Sequence, residues 1–139
     1  MTVGELKQLY YLNREIEEQK RRLEELETAA TGATSRITGM PHGYGTSDKV
    51  GNYSAEIADL KTSIEFNVQR CWQELNRLRN YINSVDDSLT RQILTLRYIN
   101  GLPWTQVAAC IGGGNTEDSV RKVHTRFLEK EKGERRQII

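Results

Sequence analysis

The sequence predicts an all-α protein: a long antiparallel helical hairpin of coiled-coil type, followed by a compact cluster of three helices. Three observations carry this. Apolar residues recur every seven positions over two long stretches, and a glycine- and hydroxyl-rich segment separates those stretches. Beyond them the apolar spacing breaks into three shorter runs divided by turn residues. Of the 139 residues, 37% are hydrophobic and 28% charged, and only two are proline. That is too polar for one thick core and too regularly patterned for disorder, so elongated helices are favoured.

The first helix is expected from about Thr2 to Ala29. Leu9, Ile16 and Leu23 lie seven apart, and Leu12 and Leu26 follow the first and last of them by three. Gln19 is a polar interruption of this seam. The rest of the helix is charged and solvated. Residues 31–52, TGATSRITGMPHGYGTSDKVGN, contain five glycines and one proline and predict a long flexible connection. The second helix is expected from about Ser54 to Val85. Ile57, Ile64, Cys71, Leu78 and Val85 are spaced by seven, with Val68, Leu75 and Ile82 as a second row. Neither helix hides its seam alone, so an antiparallel coiled coil over residues 1–85 is expected, and a second copy of the chain should cover what the hairpin leaves open. A homo-oligomer follows, with a dimer favoured.

Residues 86–132 read as a separate domain, with 133–139 as a tail. Asp86, Asp87 and Ser88 offer caps for a helix from about Leu89 to Ile99, which buries Ile93 and Leu96 and stops at Asn100-Gly101. Pro103 then opens a helix with Trp104, Val107, Ala108 and Ile111 on one face. Gly112-Gly113-Gly114-Asn115 form a turn, and a last helix from about Thr116 buries Val120, Val123 and Phe127. Two helices joined by a tight glycine turn, behind a third, is the helix-turn-helix arrangement.

Whole-chain charge is +1 and names no partner, but its distribution does. Residues 1–85 sum to −1 and residues 86–139 to +2, and Arg121 to Arg136 hold seven basic against three acidic side chains. An anion belongs at that end. No apolar run approaches the ~18 residues of a membrane span, and the N-terminal pattern is not a signal peptide, so a cytoplasmic protein without membrane contact is expected. Cys71 and Cys110 fall at apolar positions and read as reduced core residues. No CxxC or HxxxH spacing exists, so no metal and no cofactor are expected. The GGGN run is not a phosphate loop, since no Lys-Ser/Thr follows it. No nucleophile–base set or carboxylate pair emerges, so an enzyme is not expected.

A helical wheel centred on Val120, Val123 and Phe127 leaves Asp118, Arg121, Lys122, Thr125 and Glu129 on the opposite face. Arg121 and Lys122 suit guanine edges or phosphates, Asp118 accepts from cytosine, and Thr125 suits a phosphate or a thymine methyl. Thr116 sits where free backbone N–H groups face an anion. Arg126 and Lys130 lie further along, where such a helix meets backbone phosphates. His124 lies beside the buried face and reads as a packing residue, and Trp104 reads as core.

The stretch LTRQILTLRYINGLPWTQVAACIGGGNTEDSVRKVHTRFLEK resembles the fourth region of bacterial sigma factors, the helix-turn-helix that reads the −35 promoter element. More closely it resembles a family of small sigma-like phage and prophage proteins found mainly in Gram-positive bacteria. The matching residues are Leu96, Arg97, Tyr98, Gly101, Trp104, Val107, Ala108, Gly112, Val120, His124, Arg126 and Leu128. The resemblance implies a transcriptional regulator of double-stranded DNA in a bacterial host, with RNA polymerase as a further partner. It also implies Glu117, Asp118, Arg121 and Lys122 at base-reading positions. The turn from Gly112 to Thr116 is longer and richer in glycine than the usual sigma turn. Two other readings share the same architecture: a small terminase subunit recognising packaging DNA, and a protein-interaction module that binds RNA polymerase or a host factor.

Overall fold

The computed structural model describes residues 1–35 and 46–138. Every regular element among them is helical. In chain order these are α1 (Val3–Leu6), α2 (Gln8–Ser35), α3 (Thr46–Asn83), α4 (Ser88–Leu94) with a π-helical turn Thr95–Ile99, α5 (Trp104–Ile111) and α6 (Glu117–Ile138). Both long helices outrun their expected bounds. Residues 31–35 continue α2, and 46–53 open α3, so glycine and hydroxyl content did not stop either helix. Residues 36–45, the middle of the expected flexible connection, lie outside the described residues. Residues 133–138, expected as a tail, are the final turns of α6.

The chain divides into two compact units, Met1–Tyr11 with Cys71–Ile139, and Leu12–Arg70. This division falls inside the long helices and not at residue 85. In the Leu12–Arg70 unit, α2 buries Leu12, Ile16 and Leu26 as its heptad pattern predicts. Glu27 meets Lys61 at 3.8 Å, and Gln19 meets Asn67. As the number rises along α2 it falls along α3, so the two run in opposite directions here. The Gln19 interruption has a partner: Asn67, only 5% exposed, donates its Nδ2 to Gln19 Oε1 at 2.9 Å. A satisfied amide pair inside an apolar seam fixes register, because a slip would leave both amides buried without partners. Ile57, Ile64 and Val68 stay half-exposed, and Phe66 is exposed beneath the Arg70 guanidinium, 4.7 Å from its ring centroid.

The other unit contains two cores. Leu6, Leu9, Leu78, Ile82, Leu94 and Tyr98 form one, with Phe127 and Leu128 of α6 packed against it. Ile93, Val107, Ala108 and Val120 form the second, bringing α4, α5 and α6 together. The expected single first helix is interrupted at Lys7. Thr2 caps α1 reciprocally with Glu5, its Oγ1 accepting from Glu5 N at 3.2 Å while Thr2 N donates to Glu5 Oε2 at 2.7 Å. Asp87 caps α4 through Thr90 N at 3.1 Å, as its position predicts. Arg91 ties the corner between α3 and α4 by donating to the Val85 and Asp86 carbonyls at 2.7 and 2.9 Å.

Two local features differ from a plain helix pattern. The continuation of α4 is a π turn, where Asn100 N bonds to Thr95 O. Thr95 Oγ1 also donates back to Arg91 O at 2.8 Å, a bond that competes with regular helix pairing. Cys110, expected in the core, is exposed, because α5 turns its Val107–Ala108 face inward and Cys110 lies off that face. Cys71 is half-buried against the first core, and both cysteines are reduced thiols.

Candidate nucleic-acid interface

The interface candidate is α6 and the turn that precedes it. Gly112, Gly113 and Gly114 have φ of 66°, 64° and 79°, all in the left-handed region that side chains avoid. The turn closes when Asn115 Nδ2 and N both donate to Gly112 O, at 2.9 and 3.1 Å. Thr116 and Ser119 then cap α6 reciprocally: Ser119 N donates to Thr116 Oγ1 at 3.2 Å, and Thr116 N donates to Ser119 Oγ at 2.9 Å. Glu117 and Asp118 occupy the first turn, where the helix dipole favours negative charge. Thr116 is thus committed to the cap, which holds the start of the helix in place.

Val120 and His124 are buried, with Val123, Phe127 and Leu128 half-buried beside them. Asp118, Arg121, Lys122, Thr125 and Glu129 are exposed, as the wheel predicts, and Arg126 and Lys130 further along are exposed too. The basic residues of the first two turns are not unpaired, however. Arg121 Nη2 lies 2.6 Å from Glu117 Oε1, and Lys122 Nζ lies 3.0 Å from Asp118 Oδ2. The remaining candidates separate to either side. Thr125 lines a hollow with Glu129, Lys132 and Arg135, whereas Arg126 and Lys130 line another with Asp86, Asp87, Glu131 and Glu134. The structure therefore gathers Glu117, Asp118, Arg121 and Lys122 at the helix start and does not join all eight candidates into one basic patch.

Behind this face lies a cluster that residue spacing does not reveal. The Tyr98 hydroxyl and His124 Nε2 share a hydrogen bond at 2.5 Å, whose donor is set by the imidazole tautomer. The Trp104 ring meets His124 edge-on with centroids 4.8 Å apart. Arg97 lies over Trp104, its Cζ 4.7 Å from the ring centroid, and donates to Leu102 O at 3.0 Å. Burial holds the His124 pKa down to about 4, with the charges of Arg97 and Lys7 adding to the effect. The imidazole is neutral at pH 7 and serves as a packing group, as its place beside the apolar face predicts. Arg97, Tyr98, Trp104 and His124 all belong to the motif that carries the sigma-like resemblance. Their contacts account for them as the residues that hold α6 against α5 and the π turn.

Among the described residues no cluster of His, Cys, Asp or Glu is placed to hold a metal, and no helix is long and apolar enough to cross a membrane. No family model, curated protein sequence or solved structure matches the chain.

Proposed function

We propose that this chain is a DNA-binding protein of phage or prophage origin, a sigma-region-4-like transcriptional regulator in the cytoplasm of a bacterial host. In this reading α5, the glycine turn and α6 form a helix-turn-helix, and α6 lies in the major groove of duplex DNA. The observation that carries it is the start of α6: a capped helix N-terminus, anchored through Val120 on the Val107–Ala108 face of α5, that turns Arg121 and Lys122 outward. The ion pairs to Glu117 and Asp118 do not bar this role. Exposed i,i+4 pairs are worth about 0.3–0.5 kcal/mol, whereas a good base contact is worth about 1–3 kcal/mol, so exchanging one for the other favours DNA. The acidic partners also weaken non-specific attraction to phosphate, which raises selectivity while lowering affinity. A homo-oligomer, with a dimer favoured, supplies the second binding site that such a weakly basic helix needs. The half-exposed Ile57, Ile64 and Val68 of α3 support a coiled-coil seam between copies.

The test separates base contact from phosphate contact. Arg121→Ala should lose about 1–3 kcal/mol on the selected site and relax specificity at one base pair. Lys130→Ala should weaken all sequences alike and lower the salt slope by about one. Unchanged affinity and preference in Arg121→Ala would overturn the reading. A protein-interaction module that binds RNA polymerase would then lead, a role that the charge-paired first turn of α6 suits equally well.

A further inference from the structure

A hollow of about 340 Å³ lies away from the outward face of α6, between the start of the chain and the turn that leads into α5. Tyr10, Tyr11 and Tyr98 wall it, and Lys7 and Arg97 line it. Three observations set it apart. Tyr10 and Tyr11 are 48% and 56% exposed, neighbours packed edge to face with centroids 5.4 Å apart, a large aromatic area left in water. No Asp or Glu lines this hollow, whereas the hollow beside Arg126 and Lys130 holds four acidic residues. Among the described residues no ion pair involves Lys7 or Arg97, and the Arg97 guanidinium, its face on Trp104, gives one hydrogen bond, to Leu102 O. Both cations lie close enough to His124 for their charge to depress its pKa, which places their fields in one neighbourhood.

Two cations without carboxylates call for an anion, and a phosphate of up to two charges answers them better than a single carboxylate. Flat aromatic walls call for a planar ring, and every nucleobase has a face to stack on tyrosine. The volume matches a small ligand. We propose that this hollow binds a nucleotide, its base stacked on the face of one exposed tyrosine, Tyr11, with Tyr10 standing edge-on beside it, and its phosphate held by Lys7 and Arg97. The inference goes beyond duplex reading by α6 and uses none of its base-reading residues. Free nucleotide and a nucleotide of single-stranded DNA share this chemistry.

The experiment titrates the full chain with adenosine 5′-monophosphate, with inorganic phosphate at matched ionic strength, and with a short oligothymidylate. Binding is followed by the ring resonances of Tyr10 and Tyr11 and by calorimetry. A nucleotide probe should bind at least about fivefold more tightly than phosphate, since stacking on an aromatic side chain contributes on that scale. Lys7→Gln and Tyr11→Leu, both at exposed positions and both checked for unchanged helicity, should each weaken it by a similar factor. Binding of the mononucleotide assigns the site to free nucleotide, and binding of the oligothymidylate alone assigns it to a strand. Arg121→Ala should bind the nucleotide as the parent does, so this result stands apart from duplex reading. Phosphate binding as tightly as both nucleotide probes, no binding of either, or binding unchanged in both variants would overturn the proposal.

Discussion

Arg121 and Lys122 show how a single helix position can be both legible and incomplete. The wheel places them on the outward face, and the structure keeps them there, but each meets an acidic side chain four residues earlier. The Glu117–Arg121 and Asp118–Lys122 spacings were themselves the signal for those pairs. A consequence follows for affinity. Replacing Glu117 by Gln removes a carboxylate from the interface and frees Arg121, so non-specific duplex binding should tighten by up to about 1 kcal/mol and steepen with salt, read by fluorescence anisotropy. His124 carries a second prediction. Its pKa falls from 6.5 in the unfolded chain to about 4 in the fold, because burial disfavours the charged ring. A depressed pKa contributes stability that is complete above about 6.5 and is lost as pH falls toward 4. The Tyr98 hydroxyl that faces it is pushed up by burial and stays protonated through that window. Urea denaturation should therefore show a loss on the order of 1–3 kcal/mol between pH 6.5 and 4, and His124→Gln should remove most of that slope. The wheel predicts His124 beside the apolar face. It does not show Tyr98, 26 residues away, because periodicity reports which face is buried and not what lies across from it.

At the scale of elements, apolar period and caps were the reliable signals. Asp87, Pro103 and Thr116 mark the starts of α4, α5 and α6, and the structure places each at or beside its helix N-terminus. Composition was the unreliable one. Residues 31–35 and 46–52 read as connection because they are rich in Gly, Thr and Ser, yet they extend helices already nucleated by long amphipathic runs, where adding a turn is inexpensive. The π turn at Thr95–Ile99 has no period of its own to detect. The glycine turn is the element most open to test. Beyond its immediate chain neighbours, a Cβ added at Gly113, where φ is 64°, would meet only the Asn115 side chain, at 3.9 Å, so crowding by other parts of the fold is not the obstacle there. Gly113→Ala should still cost about 1–2 kcal/mol through the left-handed backbone alone, measured as a lowered Tm. Asp87→Ala should cost about 1 kcal/mol by releasing Thr90 N from its cap.

For the molecule as a whole, the all-helical class was legible from the heptads and turns, but the division into units was not. The heptad pattern runs through residues 11 and 70 without a break, so nothing in it marks where one compact unit gives way to the other. What decides that boundary is long-range packing: Leu6, Leu9, Leu78 and Ile82 close over Leu94 and Tyr98, residues that one-dimensional spacing cannot bring together. The seam of α3 makes a prediction at this scale. Ile57, Ile64 and Val68 keep apolar surface open, so sedimentation equilibrium at tens of micromolar should report a dimer, and Ile64→Glu should shift it toward monomer. Duplex reading by α6 is put to the test by selection from a random double-stranded library with the purified full chain. Enrichment of one short motif is expected, repeated at two half-sites if the protein is a dimer, with that enrichment lost in Arg121→Ala. Recovery of the library without any sequence preference at low and moderate salt would contradict duplex reading by this helix.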